Sequence, residues 1–258
     1  MKGLVSTIVF LLGLSSASAQ VDYGVTTLFR TYAPGLSVNP SMGYSQKVWG
    51  DVSTPWYGFV RPYVIGVASP SVFETKVGME IFPVSIFGID VRRAYGRRFH
   101  DTKNQNCDVL ECQGALPYTD VSAQTFLGYA DFFASIRFTR TFFDGDASRT
   151  FPVYELASAV ILAPGGDRGD YLNVAIGKNL GGLFKGLALG VLVQHNEFHE
   201  LNQFKSAAYG FAAIDLYQAA ISRLTVGLGA FRSSRNVAEA SIVVAYTYSP
   251  RSALGFGR

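Results

Sequence analysis

The chain has 258 residues and a formal net charge of +3; it is 48% apolar and 14% aromatic but only 16% charged. Soluble chains average roughly 25% charged residues, and this near-neutral balance without a basic cluster gives no footprint for nucleic acid. Beyond position 19 no uninterrupted apolar run reaches about 18 residues, which excludes a helical membrane protein.

The N-terminus has the layout of an export signal. Lys2 supplies the positive charge, Leu4–Leu14 the apolar run, and Ala17-Ser18-Ala19 a small-residue cleavage site. The expected division is a signal peptide at 1–19, one domain at 20–249 and a tail at 250–258. An exported, apolar, aromatic-rich chain without a spanning helix points to a closed sheet, which satisfies every backbone group without long apolar runs.

In chain order, Asp22–Tyr32 alternates, with Tyr23, Val25, Thr27 and Phe29 against Asp22, Gly24 and Arg30. Residues 33–41 read as a Pro/Gly/Ser loop, Met42–Trp49 as a weaker strand, and Tyr57–Val67 as a strand that holds Arg61 and is interrupted by Pro62. Val72–Phe82 sets Phe73, Val77, Met79 and Ile81 against Glu74, Lys76, Gly78 and Glu80; Ile86–Tyr95 sets Phe87, Ile89 and Val91 against Gly88, Asp90 and Arg92. Residues 97–117 form the longest polar segment. Tyr118–Phe143 reads as one long strand or a pair and is counted as one, Asp144–Arg149 as a turn, and Val153–Leu162 as a strand with Glu155 inward. Strands follow at Tyr171–Lys178, Phe184–Gln194, Ser206–Tyr217 and Ile221–Arg232, with loops at 163–170, 195–205 and 233–236. The reading gives about twelve strands, with ten to fourteen compatible, and places the loops at 33–41, 97–117, 163–170, 195–205 and 233–236 on one side.

The last strand, Val237–Tyr248, carries Ala238, Ala240, Ile242, Val244, Tyr246 and Tyr248 on one face and Glu239, Ser241 and Thr247 on the other. It resembles the closing strand of bacterial outer-membrane β-barrels: Ser241, Tyr246 and Tyr248 match that signature, while Val243 stands where a glycine is expected. The resemblance implies an all-β fold, a single antiparallel transmembrane β-barrel in the outer membrane of a Gram-negative bacterium. It also implies outer-membrane lipid and the barrel-assembly machinery as partners, with small solutes as candidate cargo and no cofactor.

On that fold Arg30, Glu74, Lys76, Glu80, Asp90, Arg92, Arg137, Glu155, Arg223 and Glu239 are expected to face the lumen, where buried charges must pair or meet water. They suit either a narrow porin-like channel with charged walls or a largely plugged structural barrel. Cys107 and Cys112, closely spaced in an exported chain, predict a small loop disulfide. His195 and His199 in HNEFHE lack the His-Glu-x-x-His order of a zinc helix, so no metal is expected. Outer-membrane phospholipases and lipid A-modifying enzymes are also barrels. That likeness makes His195, Asn196 and Ser206 a candidate catalytic set for a second function, a lipid-active hydrolase. A third is a cell-surface interaction protein acting through the loop 97–117.

Overall fold

The computed structural model describes residues 19–31, 35–99, 107–145, 150–155, 160–181, 186–217, 221–234 and 236–251. The segment before Ala19, expected to be a signal peptide, and most of the expected tail lie outside these residues. The wall begins with β1 (Ala19–Arg30), β2 (Gly35–Gly50), β3 (Tyr57–Ala68), β4 (Val72–Val84), β5 (Phe87–Arg98), β6 (Gly114–Tyr129) and β7 (Phe132–Phe143). Two three-residue strands follow, β8 (Val153–Glu155) and β9 (Val160–Leu162). The wall then resumes with β10 (Asp167–Leu180), β11 (Leu187–Phe198), β12 (Gln203–Tyr217), β13 (Ile221–Ser233) and β14 (Asn236–Arg251).

Twelve of these close into an antiparallel barrel. Sequence neighbours pair throughout, β10 joins β7, and β14 pairs back onto β1 from Val25↔Tyr248 to Arg30↔Val243. Closure leaves no open sheet edge. The adjoining ends of β1 and β2, β3 and β4, β5 and β6, β7 and β10, β11 and β12, and β13 and β14 lie at one end of the wall, the loop end. Both wall termini and the adjoining ends of β2 and β3, β4 and β5, β6 and β7, β10 and β11, and β12 and β13 lie at the other, the turn end.

Alternation sorts the faces. On β4, Phe73, Val77, Met79 and Ile81 are exposed while Glu74, Glu80 and Phe82 are buried. On β11, Leu189, Val191 and Val193 are exposed while Ala188 and Phe198 are buried. Tyr246 and Tyr248 stand with Ile242 on the exposed face of β14, and Ser241 is buried within. A continuous exposed apolar belt around a polar interior is the inverse of a soluble sandwich and fits lipid.

Two wall-strand assignments differ from the sequence reading and cancel in the strand count, while β2, β10, β11 and β12 reach into stretches read as loops, at 35–41, 167–170, 195–198 and 203–205. Tyr118–Phe143 is a hairpin, the pair rather than the single strand counted. It turns at Ala130 and Asp131, with Ala130 at φ 51°, and pairs from Tyr129↔Phe132 to Tyr118↔Phe143. No glycine or proline marks this turn, so periodicity ran through it. Val153–Leu162 is not a wall strand. β8 and β9 pair with each other and, through a single bridge from Val153 to Glu111, with the disulfide loop, not with the wall; Val153, Val160 and Leu162 bury against Leu116, Phe143 and Phe198 at its loop end. Their apolarity answers to that cluster rather than to lipid. Residues 33–41 are mostly strand, since β2 starts at Gly35 and pairs Gly35–Gln46 with β1. Tyr57–Val67 keeps its strand despite Pro62: the β2–β3 ladder skips from Gly43↔Tyr63 to Gln46↔Val60, the stretch where Pro62 has no N–H to give.

Candidate functional site

The charged residues of the first strands meet inside the barrel. The Arg61 guanidinium places Nη2 2.6 Å from Asp22 and Nη1 2.9 Å from Glu80. Asp90 is fully buried; it accepts from the Tyr63 hydroxyl at 2.6 Å and from Arg137 Nη2 at 2.8 Å, with Arg92 at 4.0 Å. Arg92 Nε donates to Asp120 at 2.6 Å, and the Thr141 hydroxyl donates to the other oxygen of that carboxylate. Nearer the loop end the Tyr118 hydroxyl donates to Glu74, and Lys76 lies 2.9 Å from Tyr118 and 3.3 Å from Glu74. Each cation of this network, Arg61, Lys76, Arg92 and Arg137, has at least one carboxylate, as a low-dielectric wall demands.

Packing makes room for these groups. A Cβ at Gly78 would lie 2.6 Å from Arg92 Cβ and 2.8 Å from the Tyr63 ring; one at Gly43 would lie 2.6 Å from Arg61 Nε. The glycines therefore clear space for the network. The opposite wall is different in kind: Ala207, Tyr209 and Phe231 form a buried cluster with Leu192 and Val243. Near the turn end Phe59 stacks on Phe82 at 4.4 Å beside Tyr57 and Phe126.

Between these walls lie two cavities. The one toward the loop end, about 340 Å³, is bounded by Glu74, Lys76, Arg92, Tyr118, Asp120 and Tyr171 among others. The other, about 290 Å³, is bounded by Glu80, Gln124, Phe126, Ala175 and Leu192 among others. Arg137 and Asn173 line both.

The β8–β9 hairpin lies over the loop end of this space. The Gln203 side chain accepts from Ile161 N at 3.3 Å and donates to Ile161 O at 3.1 Å, as a neighbouring strand would. Arg98, buried on β5, donates to the carbonyls of Glu111 at 2.6 Å and Tyr154 at 3.1 Å. Cys107 and Cys112 form a disulfide, and the loop they close is laced to the hairpin by Glu111 N to Pro152 O and Tyr154 N to Glu111 O. Lid and disulfide loop are thus one assembly, which the sequence read as separate pieces.

The ten charges read from the sequence divide into groups. Glu74, Lys76, Glu80, Asp90, Arg92 and Arg137 join the central network. Arg30 lies at the loop end of β1, opposite Val243, and Glu239 is exposed opposite Phe231 on β13. Arg223 pairs with Asp215 at 2.7 Å near the turn end, where both are more than a third exposed. Glu155 stands on β8, off the wall, and so is not part of a barrel strand. Asp22 and Asp120 belong to the network but were not singled out. Their signal was alternation: each sits between outward residues, Asp22 between Val21 and Tyr23, and Asp120 two positions from Ser122 on the inner face.

His195 Nδ1 and Ser206 Oγ lie 2.7 Å apart in a directly paired position. They stand on the outer face with Val193, whereas Asn196 has the opposite parity and shares the inner face with Gln194 and Phe198. Nucleophile and base meet, but Asn196 is not beside them. Among the described residues no group of three His, Cys, Asp or Glu side chains could hold a metal ion. His199 instead lies 3.0 Å from Asp170, which is shared with Arg140.

No protein-family model matches the chain, and no curated protein matches it. Among solved structures it is similar to the beta domain of the Bordetella autotransporter BrkA, at 8% identity and TM-score 0.41 over 90% of this chain and 99% of that one. It is similar to the translocator domain of the autotransporter NalP from Neisseria meningitidis, at 12% identity and TM-score 0.40 over 96% and 94%. A third is a loop-deletion mutant of OmpT, an outer membrane protein of Vibrio cholerae, at 7% identity and TM-score 0.41 over 90% and 99%. With twelve strands closed edge to edge, an exposed apolar belt and an ion-paired interior, the chain is a β-barrel of the outer-membrane type.

Proposed function

We propose that this barrel is a narrow channel for small polar solutes in the bacterial outer membrane, with its outer mouth closed in this conformation by the β8–β9 lid. In this reading the loop end faces outward and the chain is exported through a signal cleaved near Ala19. The observation that carries it is the pair of cavities that meet at Arg137 and Asn173. A barrel that served only as an anchor would gain from packing this volume with side chains. Here unfilled space lies along the lumen instead, with Glu74, Lys76, Arg92, Asp120, Arg137 and Asn173 among the groups around it. Their sizes, at or near the lower end of the range of about 300–1,000 Å³ for small-molecule sites, limit the cargo to small solutes.

A lipid-active hydrolase is supported by the 2.7 Å contact between His195 and Ser206 on the outer face. It is opposed by the inward placement of Asn196, which leaves the imidazole without that orienting partner. A surface-interaction role for the loop 97–117 competes with the part its disulfide half plays in holding the lid. The channel reading is tested by swelling of proteoliposomes in isosmotic small solutes. It expects entry of solutes the size of glycerol or glucose and rejection of larger oligosaccharides. Liposomes that behave as protein-free controls, with the barrel folded and heat-modifiable, would remove it.

A further inference from the structure

Four inward side chains stand side by side across neighbouring strands; two of them, Arg137 and Asn173, line both cavities, and Gln124 lines the smaller one. Gln124 on β6 pairs with Arg137 on β7, Arg137 with Asn173 on β10, and Asn173 with Gln194 on β11. Directly paired residues on one face of a sheet have neighbouring side chains, so these four form a continuous polar rung. We propose that this rung is a binding station for a neutral, polyhydroxylated solute such as a small sugar. The proposal rests on the channel reading and names the class of solute the passage takes.

The hydrogen-bond inventory of the rung leaves donors unspent. Gln194 Nε2 donates to Asn173 Oδ1 at 2.9 Å, which uses the Asn173 acceptor and leaves its amide N–H groups. Arg137 spends Nη2 on Asp90 and Ser122, and a third of its side chain stays exposed to the lumen. Gln124 is 4% exposed, and its Nε2 has no hydrogen-bond partner among the described residues. A buried amide without a partner keeps the full cost of its lost hydration. Gln124 lines the smaller cavity, so an acceptor entering that space relieves the cost.

Charge selects against ions. Arg61, Lys76, Arg92 and Arg137 are each paired with a carboxylate. An anion or a cation entering this tract has to separate a pair to gain one of its own. A hydroxyl group does not: it accepts from the Gln124 and Asn173 amides and donates to the spare lone pairs of Glu80 or Asp120. Phe126 in one cavity and Tyr171 in the other offer aromatic surface to the C–H faces of a ring.

The test is equilibrium binding to the full folded chain in lipid nanodiscs, read by saturation-transfer NMR, with glucose as probe and acetate and inorganic phosphate as charged comparators. Because the lid covers the site, the same titration is run on a chain whose residues 150–163 are replaced by a short Gly/Ser linker. Saturable glucose binding is expected, weakened at least tenfold in Gln124→Leu and in Asn173→Leu while heat-modifiable mobility is retained. Tighter binding of phosphate or acetate than of glucose overturns the neutral class. Glucose binding that neither leucine variant alters, or no binding in the lid-replaced chain, overturns the station. Binding and swelling are independent readouts. Swelling without binding leaves the channel and removes the station; binding without swelling does the reverse.

Discussion

Arg137 and Asp90 stand on β7 and β5, with the whole of β6 between them, yet Arg137 Nη2 lies 2.8 Å from the Asp90 carboxylate. The ion pair bridges the curve of the wall from inside. Asp90 is fully buried and also holds Tyr63 and Arg92, whereas Arg137 is a third exposed. The two ends should therefore respond unequally. Asp90→Ala strands buried donors and is expected to destabilise the barrel by about 3 kcal/mol. Arg137→Ala leaves a carboxylate that keeps other partners, and about 1 kcal/mol is expected after solvent screening. Urea unfolding in lipid measures both; equal losses would place Asp90 outside the centre of the network.

The lid hangs on few polar contacts. Gln203 satisfies both backbone groups of Ile161, a site closed to water. Gln203→Leu leaves them unpaired, at about 2 kcal/mol. Since local opening follows local stability, limited proteolysis within 150–163 should quicken by tenfold or more while the wall stays resistant. An unchanged digest would mean that the apolar cluster alone seats the hairpin.

Reduction should act on the lid and spare the wall. Closure of so short a loop by Cys107 and Cys112 is worth about 2 kcal/mol on chain-entropy grounds. That loop meets the hairpin through Glu111. A thiol reductant, or Cys107→Ser with Cys112→Ser, is expected to speed lid proteolysis with no change in heat-modifiable mobility. Loss of the folded band on reduction would show that the disulfide supports the barrel itself.

Acid should loosen one contact just past the end of β7. The Arg93 guanidinium beside Asp144 holds its carboxyl below the usual carboxylate range. A depressed carboxyl contributes stability that is present above its unfolded value and is lost as pH falls through the folded one. Both side chains are more than a third exposed, or close to it, so the effect stays below about 1 kcal/mol. The wild-type chain should lose that increment below about pH 4, and Asp144→Asn should lack it at every pH. An identical acid limb in both would assign the loss elsewhere.

Period-2 alternation carried most of the architecture. It separated Phe73, Val77 and Met79 from Glu74, Lys76 and Glu80. Three things escaped it. The turn at Ala130 and Asp131 uses a non-glycine residue at positive φ, so it left no compositional mark. The hairpin of β8 and β9 is apolar because it buries against Phe143 and Phe198 across the mouth, and a run of three residues cannot show which apolar surroundings it serves. The rung of Gln124, Asn173 and Gln194 was invisible because uncharged amides draw no notice until strand register sets them side by side. Arg61 was noticed but left unassigned; only closure of β1 onto β2 and β3 brings Asp22 within its reach.

The most direct test of the account is single-channel recording in planar bilayers, comparing the intact chain with one whose residues 150–163 are replaced by a short Gly/Ser linker. A lidded channel predicts small, infrequent steps from the intact protein and steady steps several-fold larger once the hairpin is gone, with ion selectivity shifted by Arg137→Ala. Silence from both proteins, each shown to be folded by heat-modifiable mobility, would mean that the lumen is sealed below the lid and that the barrel is no channel.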